Sequence, residues 1–191
     1  MNNILFINAC VRQHSRTFAL AKHVLEQLDG TCQEVHLPTE SMQPLDAASL
    51  EKREQMIARH DFSDATFRFA KDFAAADTVV VAAPYWDLSF PALLKIYLEQ
   101  IAVCGLTFEY QKGVPHSLCQ AKKLIYVTTA GGTIYFNFGF EYVKALAETF
   151  FSIPDVLCFT AEGLDIKGAD VDKIMAEAMG TVERALIQCL S

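Results

Sequence analysis

The chain has 191 residues, 52% of them hydrophobic and 20% charged, enough for one domain over residues 1–191 whose core needs neither disulfide nor metal. Sixteen Lys and Arg against 23 Asp and Glu give a formal charge of −7, with no basic cluster, which argues against nucleic acid and anionic membranes as partners. No apolar run is long enough to span a bilayer, and the chain enters a strand directly, without a charged leader, so the expected setting is the cytoplasm. The six cysteines form no C-x-x-C pair and nearly all sit in apolar patterns, as reduced core thiols do, and the five His show no metal spacing.

Ile4 to Ala9 is an apolar run and reads as the first strand. Ser15 to Leu28 reads as a helix, with Phe18, Ala21, Leu25 and Leu28 at helical spacing and Gly30 as its stop. Thr31 to Leu37 alternates as a second strand, and the proline-containing stretch Pro38 to Ala48 reads as a loop. Ala47 to Arg59 and Ser63 to Ala76 form a broken helix. Thr78 to Ala83 is apolar throughout, the pattern of a strand covered on both faces. Ala92 to Cys104 reads as a helix stopped at Gly105, followed by a long loop over residues 105–121. Strand Lys123 to Thr129, helix Phe138 to Phe151, strand Val156 to Ala161 and helix Asp170 to Leu190 complete the chain. Strand and helix alternate five times. That order predicts an α/β flavodoxin-like three-layer sandwich, with a five-stranded parallel sheet in the order 2-1-3-4-5 and helices on both faces.

In such a sheet a ligand binds outside the carboxyl ends of the strands, at the switch point. The loop after the first strand, Asn8 to Thr17, leads into a helix N-terminus and offers Ser15, Thr17, Arg12 and Arg16. Orphan amides and the helix dipole suit a phosphate there; an ordinary N-cap, with Ser15 capping and Arg16 solvated, is the alternative. The loop contains no glycine, which excludes a dinucleotide fingerprint and a P-loop. The loop after the third strand, Pro84-Tyr85-Trp86-Asp87-Leu88, holds the only Trp, and its aromatics suit a planar ring system or else plug the sheet end. The loop after the fourth strand, Thr129-Ala130-Gly131-Gly132, lets backbone approach a ligand closely, although a flexible turn reads the same way. Hydrolysis lacks a basis: there is no G-x-S-x-G elbow and no glycine-rich cradle around Cys10.

At these loops the chain resembles the FMN-dependent NAD(P)H:quinone oxidoreductases and azoreductases of the flavodoxin-like fold, over essentially its whole length. The most specific segment is Ala83 to Lys95 followed by Gly105 to Tyr110, similar to A-P-M-Y-N-F, a helix with L-K, and G-V-T-F-x-Y in azoreductases. Thr129 to Gly132 resembles their S-R-G-G, and Ala161-Glu162-Gly163 matches the end of the last strand. The resemblance implies bound FMN, with NADH or NADPH as electron donor. Cys10, Ser15, Arg16 and Thr17 would hold the phosphate. Pro84, Tyr85, Trp86, Asp87 and Leu88 would hold the ring, with Thr129, Ala130, Gly131 and Gly132 at its other edge. Tyr110, Phe150 and Phe151 would line the substrate face from a neighbouring subunit of a homodimer. No side chain need act as acid or base, although Tyr110 can donate a hydrogen bond to a substrate. A small-molecule acceptor, a quinone, azo or nitro compound, would take two electrons by a ping-pong route. A flavodoxin-type one-electron carrier and a flavin-free binding domain are the alternatives. Departures from the pattern are Cys10 for a serine, Asp87 for the middle asparagine and Ala130 for the arginine.

Overall fold

The computed structural model describes residues 2–187. Five strands, β1 (Asn3–Asn8), β2 (Thr31–His36), β3 (Thr78–Ala82), β6 (Lys123–Thr129) and β7 (Asp155–Ala161), form one parallel sheet in the order β2-β1-β3-β6-β7. This is the predicted 2-1-3-4-5 order, renumbered because a two-stranded hairpin, β4 (Phe108–Gln111) and β5 (Val114–Ser117), intervenes. The hairpin lies inside the stretch 105–121, where the sequence predicts a long loop.

Alternation along the strands decides the two faces. Leu5, Ile7, Ala9, Val79 and Val81 point to one side, where they pack with helices α3 (Arg68–Ala75), α4 (Ala92–Ile101) and α5 (Phe138–Thr149). Ile4, Phe6, Val80, Ala82, Ile125 and Val127 point to the other, against α1 (Arg16–Glu26) and α6 (Val171–Ile187). β3 is buried at every residue, which is why its sequence shows no polar alternation. Helix α2 (Ala47–Ala58) closes a smaller cluster in which Met56 meets Phe67, Ala70 and Val103. Of the broken helix, the first piece is α2 and the second is a short 3-10 turn at Ala65–Phe67 running into α3.

Two expectations change here. Helix α4 ends at Ile101 rather than Cys104, although Val103 remains buried. Cys32 is exposed on the edge strand β2, so it is not a core thiol; Cys10 is buried, Cys104, Cys119 and Cys158 are half-buried, and Cys189 lies outside the described residues, as does the expected helix beyond residue 187. No helix among the described residues is long and apolar enough to cross a membrane.

Candidate functional site

Four loops meet at the carboxyl edge of the sheet. After β1 the chain is fixed by Asn8, whose buried side chain accepts from the Cys10 N–H at 3.0 Å and donates to Glu34 at 2.8 Å. The loop then reaches Ser15, the N-cap of α1, whose hydroxyl accepts from the Phe18 N–H at 3.2 Å. That leaves the amides of Arg16 and Thr17, the first two of the helix, without an acceptor among the described residues, as expected at a helix start. Thr17 Oγ1 bonds Thr129 Oγ1 at 2.6 Å and ties this loop to the one after β6.

After β3 the Tyr85 N–H donates to Thr129 O at 3.1 Å. Trp86 and Ser89 then exchange backbone bonds of 3.1 and 2.7 Å around a two-residue turn, with Asp87 at φ +50° and Leu88 at φ +65°. Both central φ values are positive, the signature of a type I′ turn. The Phe138 N–H donates to Leu88 O at 3.1 Å and the Tyr85 hydroxyl to Phe136 O at 2.7 Å, so the turn is anchored to the start of α5.

After β6 the Thr129–Gly132 loop is stitched to the loop after β7. Leu164 N–H donates to Ala130 O at 3.2 Å, Asp165 N–H to Gly131 O at 2.8 Å and Gly163 N–H to Gly132 O at 2.9 Å. A Cβ at Gly131 would stand 2.2 Å from Asp165 Oδ2, so a larger residue there would displace that carboxylate. Arg16 reaches over from α1 and pairs with Asp165 at 2.7 Å.

These loops enclose a cleft of about 250 Å³, open to solvent. Its wall includes nine of the expected cofactor residues: Ser15, Arg16 and Thr17 at one end, Pro84, Tyr85 and Trp86 along one side, and Thr129, Ala130 and Gly131 opposite. The donor set suits a phosphorylated planar ring: two free helix amides, hydroxyls and guanidinium at the first end, and aromatic side chains beside close-approaching backbone at the other.

Four expected cofactor residues stand off that wall. Cys10 is 4% exposed beneath the loop, its amide is taken by Asn8, and its thiol points to Ala82 O at 3.9 Å. Burial pushes that thiol up to about 11, with Glu34 adding to the shift and the Ser15 hydroxyl opposing it, so it is a neutral packing group. Asp87 and Leu88 form the exposed tip of the turn, and Gly132 lies past the wall, its carbonyl bonded to Gly163.

The expected substrate residues also separate. Phe151 is 2% exposed and packs on Phe73 at 4.6 Å, so it belongs to the core, not to a substrate face. Phe150 meets Phe108 edge-on at 4.8 Å, and Phe108 meets Tyr110 at 5.5 Å on the hairpin. Tyr110 is 56% exposed, and neither it nor Phe150 lines the cleft.

Sequence reasoning missed Leu164 and Asp165 on the cleft wall. It also missed the exposed aromatics Tyr135, Phe136 and Phe138 beside the ring turn; the rings of the latter two stack with centroids 5.7 Å apart. The signal for them was present as four aromatics within residues 135–140.

The architecture and the cleft at the switch point define a flavodoxin-like protein, and residues 2–186 match the family described as flavodoxin-like fold. The FMN-dependent NADH:quinone oxidoreductase of Clostridium beijerinckii is 31% identical over 190 residues, covering 94% of this chain and 95% of the relative. That of Lachnoclostridium phytofermentans is 32% identical over 188 residues, covering 93% and 94%. The chain therefore belongs to the flavodoxin-like family that contains these oxidoreductases. In three dimensions it superimposes on an FMN-dependent NADH-azoreductase from Bacillus anthracis, solved in complex with FMN, with a TM-score of 0.82, 20% identity and full coverage of both chains.

Proposed function

We propose that this protein is an FMN-dependent oxidoreductase that takes electrons from NADH or NADPH and passes two of them to a quinone, azo or nitro compound. The observation that carries the reading is the convergence of the α1 N-terminus, the Trp86 turn and the Thr129–Gly131 loop on one cleft whose donors are left over from the fold. FMN, when bound, supplies the two-electron chemistry, and the protein supplies position and electrostatics.

Each wall has a separate task. Ser15, Arg16, Thr17 and the first amides of α1 would hold the phosphate, favoured by the helix dipole. Tyr85 and Trp86 would flank the ring, and the turn's hydrogen bonds to Phe136 and Phe138 position them. Gly131 brings backbone against the opposite edge. No cationic side chain stands at Ala130, so peptide groups carry the charge stabilisation there. Donor and acceptor would share this solvent-open cleft by occupying it in turn, a ping-pong order. We further propose a cytoplasmic homodimer in which Tyr110 and Phe150 of a second copy line the mouth of the cleft. The exposed hairpin supports this reading, because Tyr110 is available for contact.

Purified protein is expected to be yellow, or to become so with FMN. Anaerobic stopped-flow should show NADH or NADPH bleaching the flavin and an added quinone restoring it. Failure of both donors to bleach it would reject the oxidoreductase reading. A stable blue semiquinone without NAD(P)H turnover would move the protein to the one-electron carriers. Light scattering at micromolar concentration checks the dimer.

A further inference from the structure

Two charged side chains in the cleft neutralise each other. Arg16 Nη1 donates to Asp165 Oδ1 at 2.7 Å, with Leu164 O a longer acceptor at 3.4 Å. The backbone of Asp165 is held independently of that contact: its N–H donates to Gly131 O at 2.8 Å. Its carboxylate extends over Gly131, where an added Cβ would stand 2.2 Å from Oδ2. The pair links the first turn of α1 to the loop after β7, at the end of the cleft where the amides of Arg16 and Thr17 are free. Both partners are substantially exposed, so the ion pair adds little to the fold. It does add a fixed negative charge to the wall of a site built for an anion.

We propose that Asp165 is a built-in counter-anion. It holds Arg16 while the cleft lacks a phosphomonoester and competes with the phosphomonoester for that cation, and so sets how strongly the site prefers a flavin phosphate over a flavin without one. The inference rests on the FMN reading above. A phosphomonoester near neutral pH carries close to two negative charges, so its approach to Arg16 is opposed by the carboxylate and requires Arg16 to be shared or released. A flavin lacking the phosphate experiences neither effect. The consequence is a site that binds FMN reversibly and discriminates against riboflavin less than its helix terminus and guanidinium would alone.

The test is Asp165→Asn in the full chain, which keeps the shape and an acceptor for Arg16 but removes the charge. Flavin-stripped wild type and variant are titrated with FMN and with riboflavin by flavin fluorescence, at low salt and at about 1 M NaCl, where exposed charges are screened. The variant's Kd for FMN is expected to fall on the order of tenfold at low salt, as expected for removing one like charge in a partly solvated cleft. That gain should shrink at high salt, and the riboflavin Kd should move less than about twofold. An unchanged Kd for FMN overturns the proposal. So does a raised one, which makes Asp165 an orienting partner of Arg16, and so does equal tightening of both flavins. Wild-type protein that binds neither flavin removes the FMN reading itself. Wild type that binds FMN beside a variant that does not differ removes only the counter-anion. Far-UV circular dichroism verifies that the variant is folded.

Discussion

Gly139 connects the stability of the fold to the geometry of the cleft. It is the second residue of α5, next to Phe138, whose N–H holds Leu88 O in the ring turn. A Cβ at Gly139 would stand 2.8 Å from Tyr126 Oη, 3.0 Å from Phe90 Cδ1 and 3.1 Å from the Ser89 carbonyl carbon. None of these can swing aside freely. Tyr126 is fully buried, Phe90 packs against the core, and Ser89 is backbone of the turn itself. Overpacking of this kind costs about 1–3 kcal/mol, whereas replacing Gly by Ala in a helix interior returns at most about 1 kcal/mol. Gly139→Ala should therefore lower stability by roughly 1–2 kcal/mol and weaken FMN binding, because relief of the clash pushes Ser89 and Phe90 away from α5. Tyr126 supplies a control. Its buried hydroxyl has Thr128 as a polar neighbour, too poorly placed for a regular hydrogen bond, so Tyr126→Phe sacrifices at most that weak contact and removes the shortest of the three contacts. In the Tyr126→Phe background the cost of Gly139→Ala should drop by about 0.5–1 kcal/mol, the size of coupling seen between touching residues. Urea unfolding followed by far-UV circular dichroism gives the four stabilities, and FMN titration gives the effect on the cleft. A higher urea midpoint for Gly139→Ala, or an equal cost in both backgrounds, would refute the steric account.

Two further predictions concern the frame around the site. Arg53 of α2 is buried, and its guanidinium donates to Glu99 O at 3.1 Å and Ala102 O at 2.6 Å, satisfying carbonyls at the end of α4; burial lowers its pKa, with Glu99 opposing, yet an arginine stays charged. Arg53→Met keeps the stem but leaves those carbonyls unpaired, so urea unfolding should show a loss of about 2–3 kcal/mol, and a change under about 0.5 kcal/mol would contradict the role. Burial raises the thiols of Cys10 to about 11 and of Cys119 and Cys158 to about 12, from 9.0 when free. The folded state then keeps protons that the unfolded chain releases above pH 9, so stability is intact below pH 9 and declines as pH rises through these values. Each thiol adds a slope of about 1.4 kcal/mol per pH unit in that window. Unfolding curves at pH 8, 9 and 10 under reducing conditions test this, and a flat profile would argue against it.

The sheet was legible because its signal is local. The five residues of β3 are buried on both faces and carry no polar alternation, while the alternation in β1 sorts Leu5 and Ile7 from Ile4 and Phe6. The end of α4 was misread because an apolar pattern outlasts the helix: Val103 is fully buried, but in the cluster closed by α2. The hairpin escaped notice because each strand has four residues and Pro115 stands opposite Tyr110, where proline argues against a strand. Its turn, Lys112 at φ +52° and Gly113 at φ +81°, carried a glycine signal too short to outweigh that proline.

At the cleft the same division applies. Ser15, Trp86 and Gly131 could be placed from their own loops, because a helix start, an aromatic turn and a glycine pair are local patterns. Asp165 could not, since its meaning comes from Arg16, 149 positions away in sequence. Phe150 and Phe151 are adjacent, yet the chain leaving α5 sends the second ring into the core, a choice made by Phe73 across the fold. The ring turn goes further and breaks a local preference. Its two central residues have positive φ, where Asn-Gly is the favoured pair, but the chain places Asp87 and Leu88 there. A leucine in the left-handed region costs about 1–2 kcal/mol. The surrounding structure holds it there through the Trp86–Ser89 bonds and the Phe138 N–H on Leu88 O. Such strain persists only where neighbouring contacts over-determine it, and among binding-site loops that is where a fixed geometry has value. The turn is thus a place where local propensity fails and tertiary contacts take over, and its first residue, Trp86, stands on the wall that the proposed cofactor ring would touch.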